Sequence, residues 1–336
     1  MGVSTGLKVE TSTIEGLHRK LVNEATTLPE KYRVLFSLRH VPGELAHNAL
    51  LDGLKDPSHL FRHEVAYTLG QRQDPAAVEA LTGLLGNPEE HPMVRHEAGE
   101  SLGAIATARC LAPLRAHAAD DVAEVAQTCQ LALQRIDYLE REHGFRVAEE
   151  GAAAESRADG RSAGDNQPSS RFPTVDPTPP APASTPLPAL CSTLLDADSP
   201  IFDRYRAMFA LRDRGGAEAV AALCQAMEAG DSALLAHEAA YVLGQLQDAL
   251  AVQALARVLR DGEANAMVRH EAAEALGAIA SEEAKALLVE HVEDPEPIVA
   301  DSCIVALDVL EFEQAGEFQY ADLGIPAESA TAPQVC

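Results

Sequence analysis

Apolar and small residues recur along most of this chain at i, i+3, i+4 and i+7, as at Val65, Ala66 and Leu69. This is the period of a helix and not the alternation of a strand. A leucine closes each such stretch: Leu38, Leu69, Leu102 and Leu133, then Leu211, Leu243, Leu276 and Leu307. Their spacing is close to the length of a helix-turn-helix repeat. Gly70, directly after one of them, reads as a C-cap signal. The pattern predicts an all-α chain of eight helical hairpins in two groups of four.

Between the groups the helical pattern stops. Residues 144–187 include AAAESRADGRSAGDNQPSS and PTVDPTPPAPASTPLP, which hold too few large apolar side chains to offset the entropy of ordering. They are expected to be a disordered linker and a tether without chemistry of its own, dividing an N-terminal half (1–143) from a C-terminal half (188–336). The halves are copies. KYRVLFSLR at 31–39 answers RYRAMFALR at 204–212, LFRHEVAYTLGQRQD at 60–74 answers LLAHEAAYVLGQLQD at 234–248, and PMVRHEAGESLGAIA at 92–106 answers AMVRHEAAEALGAIA at 266–280. The VRHEA and ALGAIA segments resemble HEAT repeats. The expected architecture is an α-solenoid of HEAT-like hairpins in two pseudo-symmetric four-repeat halves, facing each other across a metal-binding cleft. In a solenoid, equivalent repeat positions line one concave surface.

Composition narrows the function. The 336 residues carry 26 Lys and Arg against 52 Asp and Glu, a net charge of −26, which argues against nucleic acid as a partner and for a cationic one. The six cysteines never form a C-x-x-C arrangement, so neither a thiolate zinc site nor a disulfide framework is expected. The first residues, MGVSTGLKVETST, have no signal-peptide core, and Gly6 stands where a myristoylation motif wants Ser or Thr. No apolar run approaches the length of a membrane helix. A cytoplasmic, monomeric protein without membrane attachment is the expectation.

The residues that carry chemistry are four His-Glu dyads: His63-Glu64, His96-Glu97, His237-Glu238 and His270-Glu271. His63 and His96 are one repeat apart, as are His237 and His270. Such a dyad could be mere repeat consensus, yet the outer repeats lack it, holding Tyr32-Arg33, Gln127-Thr128, Tyr205-Arg206 and Asp301-Ser302 instead. Imidazole and carboxylate without thiolate suit first-row metals, and two histidines with one carboxylate suit non-haem iron that handles dioxygen. Zinc or manganese hydrolysis uses similar ligands. A HEAT-repeat scaffold that binds a basic protein through an acidic strip is the non-enzymatic alternative, and a bilin-lyase-like HEAT protein a third reading. Met93 and Met267 lie three residues before a dyad histidine, on the same helix face, where they could line a groove for an aliphatic substrate or simply fill core. Arg95 and Arg269 are expected to form structural salt bridges.

The duplicated frame with its dyads, together with RYRAMFALR, YVLGQLQD, PMVRHEAGE, AQTCQLAL at 126–133 and FQYAD at 318–322, resembles the deoxyhypusine hydroxylase family. That resemblance implies a di-iron monooxygenase that converts the deoxyhypusine side chain of a translation initiation factor to hypusine, the last step of hypusine biosynthesis. Its cofactors would be two ferrous ions, with dioxygen as co-substrate and an external electron donor. It implies that His63, His96 and Glu97 hold one metal, that His237, His270 and Glu271 hold the other, and that Glu64 and Glu238 bind the cationic substrate. Dyad spacing alone treats the four glutamates as two equivalent pairs.

Overall fold

The computed structural model describes residues 9–143, 172–315 and 321. Among them are sixteen α-helices, and no strand. The N-terminal half contains α1 (Thr11–Val22), α2 (Leu28–Arg39), α3 (Glu44–Gly53), α4 (His59–Gln71), α5 (Val78–Leu85), α6 (Pro92–Ile105), α7 (Ala108–His117) and α8 (Ala123–His143). The C-terminal half contains α9 (Leu187–Leu195), α10 (Ile201–Arg214), α11 (Ala217–Glu228), α12 (Ala233–Leu246), α13 (Val252–Arg260), α14 (Ala266–Ile279), α15 (Glu282–His291) and α16 (Pro297–Ala315). Each half is four hairpins, an outer helix followed by an inner one. All eight repeat leucines fall on inner helices, and six of them are buried.

The inner helices pack side by side in chain order, and the two ends of the series meet: α16 packs on α2 and α4, and α8 packs on α10 and α12. Eight inner helices thus close a ring around a common axis. The seams are polar and follow the duplication. Ser58 Oγ donates to Asp301 Oδ2 at 3.0 Å, and its counterpart Ser232 lies 3.2 Å from Gln127 Oε1. Arg33 adds an ion pair to Asp308 at the first seam.

Gly70 is not a C-cap: it lies inside α4, and the left-handed residue beyond the helix is Gln73 at φ 50°. A Cβ on Gly70 would stand 2.8 Å from the Ser101 Cα of α6, so the glycine serves close approach of neighbouring inner helices. The shared apolar packing explains why helix period alone could not separate these roles.

The expected linker is ordered over its last part. Residues 144–171 lie outside the described residues, but from Phe172 onward the chain is docked. Asp176 is buried on Arg212, with Oδ1 and Oδ2 at 2.9 and 2.7 Å from the two guanidinium nitrogens. Arg135 Nε donates to the Asp176 carbonyl at 3.0 Å, while Val175 exchanges both backbone hydrogen bonds with the Gln71 side chain. A few buried polar anchors thus order a segment that is poor in apolar surface, and composition could not show this.

Candidate metal centre

Each dyad sits in the second turn of a capped inner helix, five residues after its cap. The side chains of Ser58, His91, Ser232 and Asn265 accept from backbone N–H groups in the first turn of α4, α6, α12 and α14. The caps set one helical phase for all four dyads, and the ring then directs the four imidazoles to its centre. Ring centroids are 5.7 Å apart for His63 and His96, and 5.2 Å for His237 and His270. Across the halves, His96 to His237 is 5.3 Å and His63 to His270 is 5.5 Å.

The geometry repeats with the sequence. Glu97 Oε2 stands 3.3 Å from His63 Nε2 and 3.8 Å from His96 Nε2. Glu271 Oε2 stands 3.3 Å from His237 Nε2 and 3.9 Å from His270 Nε2. Donor atoms close enough to share an ion are found in the sets His63, His96, His237 and His237, His270, Glu271, and also in His96, Glu97, Glu100.

His63, His96, Glu97, His237, His270 and Glu271 are buried, yet Nε2 of the four histidines has no hydrogen-bond partner among the described residues. Four orphaned nitrogens in one buried cluster are costly unless something coordinates them. Burial lowers the His63 imidazole to about 3 and, together with neighbouring imidazoles, holds His96 and His270 well below the usual range. Neutral rings keep the lone pairs that a metal takes. Burial raises Glu97 to about 7 and also holds Glu64, Glu238 and Glu271 well above the usual carboxylate range, where like charges add to the effect. So many crowded carboxylates call for positive charge from outside the chain. The donor set and its orphaned nitrogens fit a pair of first-row metal ions.

Glu64 and Glu238 line a cavity of about 350 Å³ beside the histidines. Met93 and Met267 do not line it; both are buried in the apolar core, where methionine fills space. Arg95 and Arg269 each bind a carboxylate, Asp120 and Asp294, at 2.6 Å, and each also donates to the last turn of the preceding outer helix.

Several residues of the site were not singled out in the sequence. Glu100 and Glu274 follow His96 and His270 by one turn and line the cavity. Tyr67 and Tyr241 follow His63 and His237 by one turn, and their hydroxyls meet at 2.7 Å across the halves. The i+4 spacing was the available signal. Behind the cluster, His96 Nδ1 is 3.3 Å from Thr128 Oγ1, and His270 Nδ1 is 3.5 Å from Ser302 Oγ and 3.6 Å from Glu274 Oε1. Thr128 and Ser302 occupy the dyad positions of the fourth repeats, so those positions back the cluster.

A model described as HEAT repeats matches residues 47–134 and 222–308, and one described as PBS lyase HEAT-like repeat matches 203–229. Deoxyhypusine hydroxylase of Rattus norvegicus is 44% identical over 309 residues, covering 92% of this chain and 95% of the rat protein. The protein of the same description from Drosophila melanogaster is 40% identical over 314 residues, covering 94% and 97%. The solved structure of human deoxyhypusine hydroxylase in complex with glycerol matches with a TM-score of 0.80 at 43% identity, covering 89% of this chain and 96% of that one.

Proposed function

The chain belongs to the deoxyhypusine hydroxylase family, and on that premise we propose that its buried cluster holds two ferrous ions, one on His63, His96 and Glu97 and one on His237, His270 and Glu271. The chain is a deoxyhypusine monooxygenase: it hydroxylates the deoxyhypusine side chain of a translation initiation factor in the last step of hypusine biosynthesis. The enzyme is metal-dependent. The observation that supports two ions is the duplicated triad, with each half supplying two orphaned Nε2 atoms and one glutamate at matching distances. Against this, neither the scaffold nor the hydrolase alternative accounts for relatives of one activity along nearly the whole chain.

Bound there, the metal pair supplies dioxygen chemistry at an unactivated carbon, with electrons drawn from an external donor. The protein's own contribution is placement and exclusion. The buried neutral imidazoles and the closed ring of helices keep bulk water from the centre. Glu64 and Glu238, one from each half, line the cavity and take the ammonium groups of the substrate arm, whose desolvation they offset. Thr128 and Ser302 fix the orientation of His96 and His270 through their Nδ1 atoms. Among the described residues no helix is long and apolar enough to cross a membrane. We place the reaction in the cytoplasm, with a monomeric enzyme that meets its protein substrate and a separate electron donor there.

Anaerobic ferrous titration with metal analysis tests the ligand assignment. Two equivalents per chain are expected for the wild type and fewer for His96→Ala or His270→Ala in folded protein. Undiminished binding by either variant, or a chain that takes no iron while hydroxylating its substrate, would refute the assignment.

A further inference from the structure

The duplication creates two equivalent groups of residues on the inner helices. One is Arg39, Glu64, Glu274, Ala278 and Val309; the other is Arg212, Glu238, Glu100, Ala104 and Arg135. All five of the first group line the 350 Å³ cavity. Of the second, only Glu238 and Glu100 reach it. The strap 172–178 occupies the remaining space: Asp176 sits between Arg212 and Arg135, and Pro177, Glu100 and Arg135 border a residual void of about 10 Å³. The counterparts differ in exposure accordingly. Arg212 is 0% exposed, and Arg135 and Ala104 are 4% exposed, whereas Arg39, Val309 and Ala278 are all part-exposed. Among the described residues no carboxylate pairs with Arg39, which lies over the Tyr67 ring at 5.5 Å.

Gln71 and Gln245, equivalent residues on α4 and α12, both turn to the strap, one to Val175 and one to Thr174 Oγ1. The strap thus spends both copies of a symmetric pair on one side. Below it, Glu238 is 3% exposed and lines the cavity, so a buried carboxylate faces the cavity from the covered end.

We propose that the strap plugs one of two symmetry-related mouths, so that the aminobutyl arm of the substrate reaches the metals only through the other, past Arg39, Ala278 and Val309. The arm then passes Glu64 and Glu274 first, and its terminal ammonium comes to rest on Glu238 and Glu100 beneath the plug. This rests on the reading of the chain as a deoxyhypusine hydroxylase. It adds a direction to a centre that the duplication alone would leave without one.

Matched cysteine substitutions test the plug without using activity. In iron-loaded protein, Ala278→Cys should react with a maleimide at least about tenfold faster than Ala104→Cys, because access limits thiol alkylation; peptide mass separates these sites from native cysteines. Adding Asp176→Ala should speed labelling of Ala104→Cys. Equal rates at the two positions in the strap-intact protein would overturn the proposal. For the route, Ala278→Trp should cut hydroxylation of the deoxyhypusine-bearing factor by about tenfold or more while binding the wild-type quota of iron. Normal hydroxylation by that variant would overturn the route. A wild-type chain that binds iron but leaves the factor unmodified would instead defeat the functional reading, and the labelling contrast would still report on the plug.

Discussion

The two halves of the chain hold matching His-His-Glu triads, the metal ligands proposed above, in unlike surroundings. Glu97 and Glu271 approach their histidines at matching distances, 3.3 Å at the shorter contact in each half. Around them the halves diverge. Among the described residues His96 Nδ1 meets Thr128, whereas His270 Nδ1 faces both Ser302 and Glu274; Arg39 makes no ion pair there, whereas its counterpart Arg212 carries Asp176. The coordinating residues have kept the symmetry of a duplicated ancestor segment, and the residues that handle access and orientation have not. A bimetallic centre needs two similar ligand sets, but a single protein-borne side chain approaches from one direction only.

Four experiments probe that contrast, taken from the largest expected effect downwards. Removing a ligand should strike both halves alike: His63→Ala and His237→Ala should each abolish measurable hydroxylation, read as loss of the one-oxygen mass gain on the factor. A large residual activity in only one of them would show that the triads are not equivalent. Neutralising the substrate carboxylates should separate them. Glu64→Gln and Glu238→Gln should each raise KM by about 10- to 100-fold, the worth of a hydrogen bond to a charged group, with the larger effect at the more buried Glu238.

The groups behind the histidines should give a smaller and unequal response. Thr128→Val should weaken iron binding by about tenfold, and Ser302→Ala by less, because Glu274 still faces His270; a chelator-competition titration measures both. Reversed order would break the contrast. The smallest effect concerns the arginine pairs. Burial works against the Asp120 carboxylate, but hydrogen bonds from Arg95, His117 and the Val122 N–H carry it down to about 2, and Asp294 is lowered likewise by Arg269. A carboxylate depressed in the folded state stabilises above its unfolded value near 4 and loses that contribution as pH falls towards the folded one. Asp120→Asn should therefore cost roughly 1 kcal/mol at pH 6, and the gap to wild type in thermal unfolding should narrow between pH 4 and pH 2.

Much of this was legible in the sequence because it is written twice. The 3.6-residue period and the recurring leucines define the inner helices, and the confinement of His-Glu to the central repeats marks the centre. Glu100, Glu274, Tyr67 and Tyr241 were legible in principle, one turn beyond each histidine, but such spacing is common on any helix and gains meaning only when two halves converge. The strap was not legible. Its ordering depends on Asp176 meeting Arg212 and Arg135, residues 36 and 41 positions away, inside a stretch whose composition favours disorder. The misread Gly70 has the same origin: a glycine after a leucine ends one helix and lets another pass close by, and only the neighbour Ser101 decides which.

The closed ring has two seams: beside α8 the chain passes from one half into the other, and at the α2–α16 seam Ala321 N from beyond α16 donates to Ser37 Oγ of α2. Where α2 meets α16, the halves hold together through Arg33–Asp308, Ser58–Asp301 and apolar contacts, with no peptide bond between them. Beside α8 the chain itself runs on through the strap into α9. Parting the first seam leaves the halves joined, so reclosure is a unimolecular event governed by effective concentration. Its rate does not depend on how much protein is present, and a ring that opens in dilute solution closes as readily as in a crowded one.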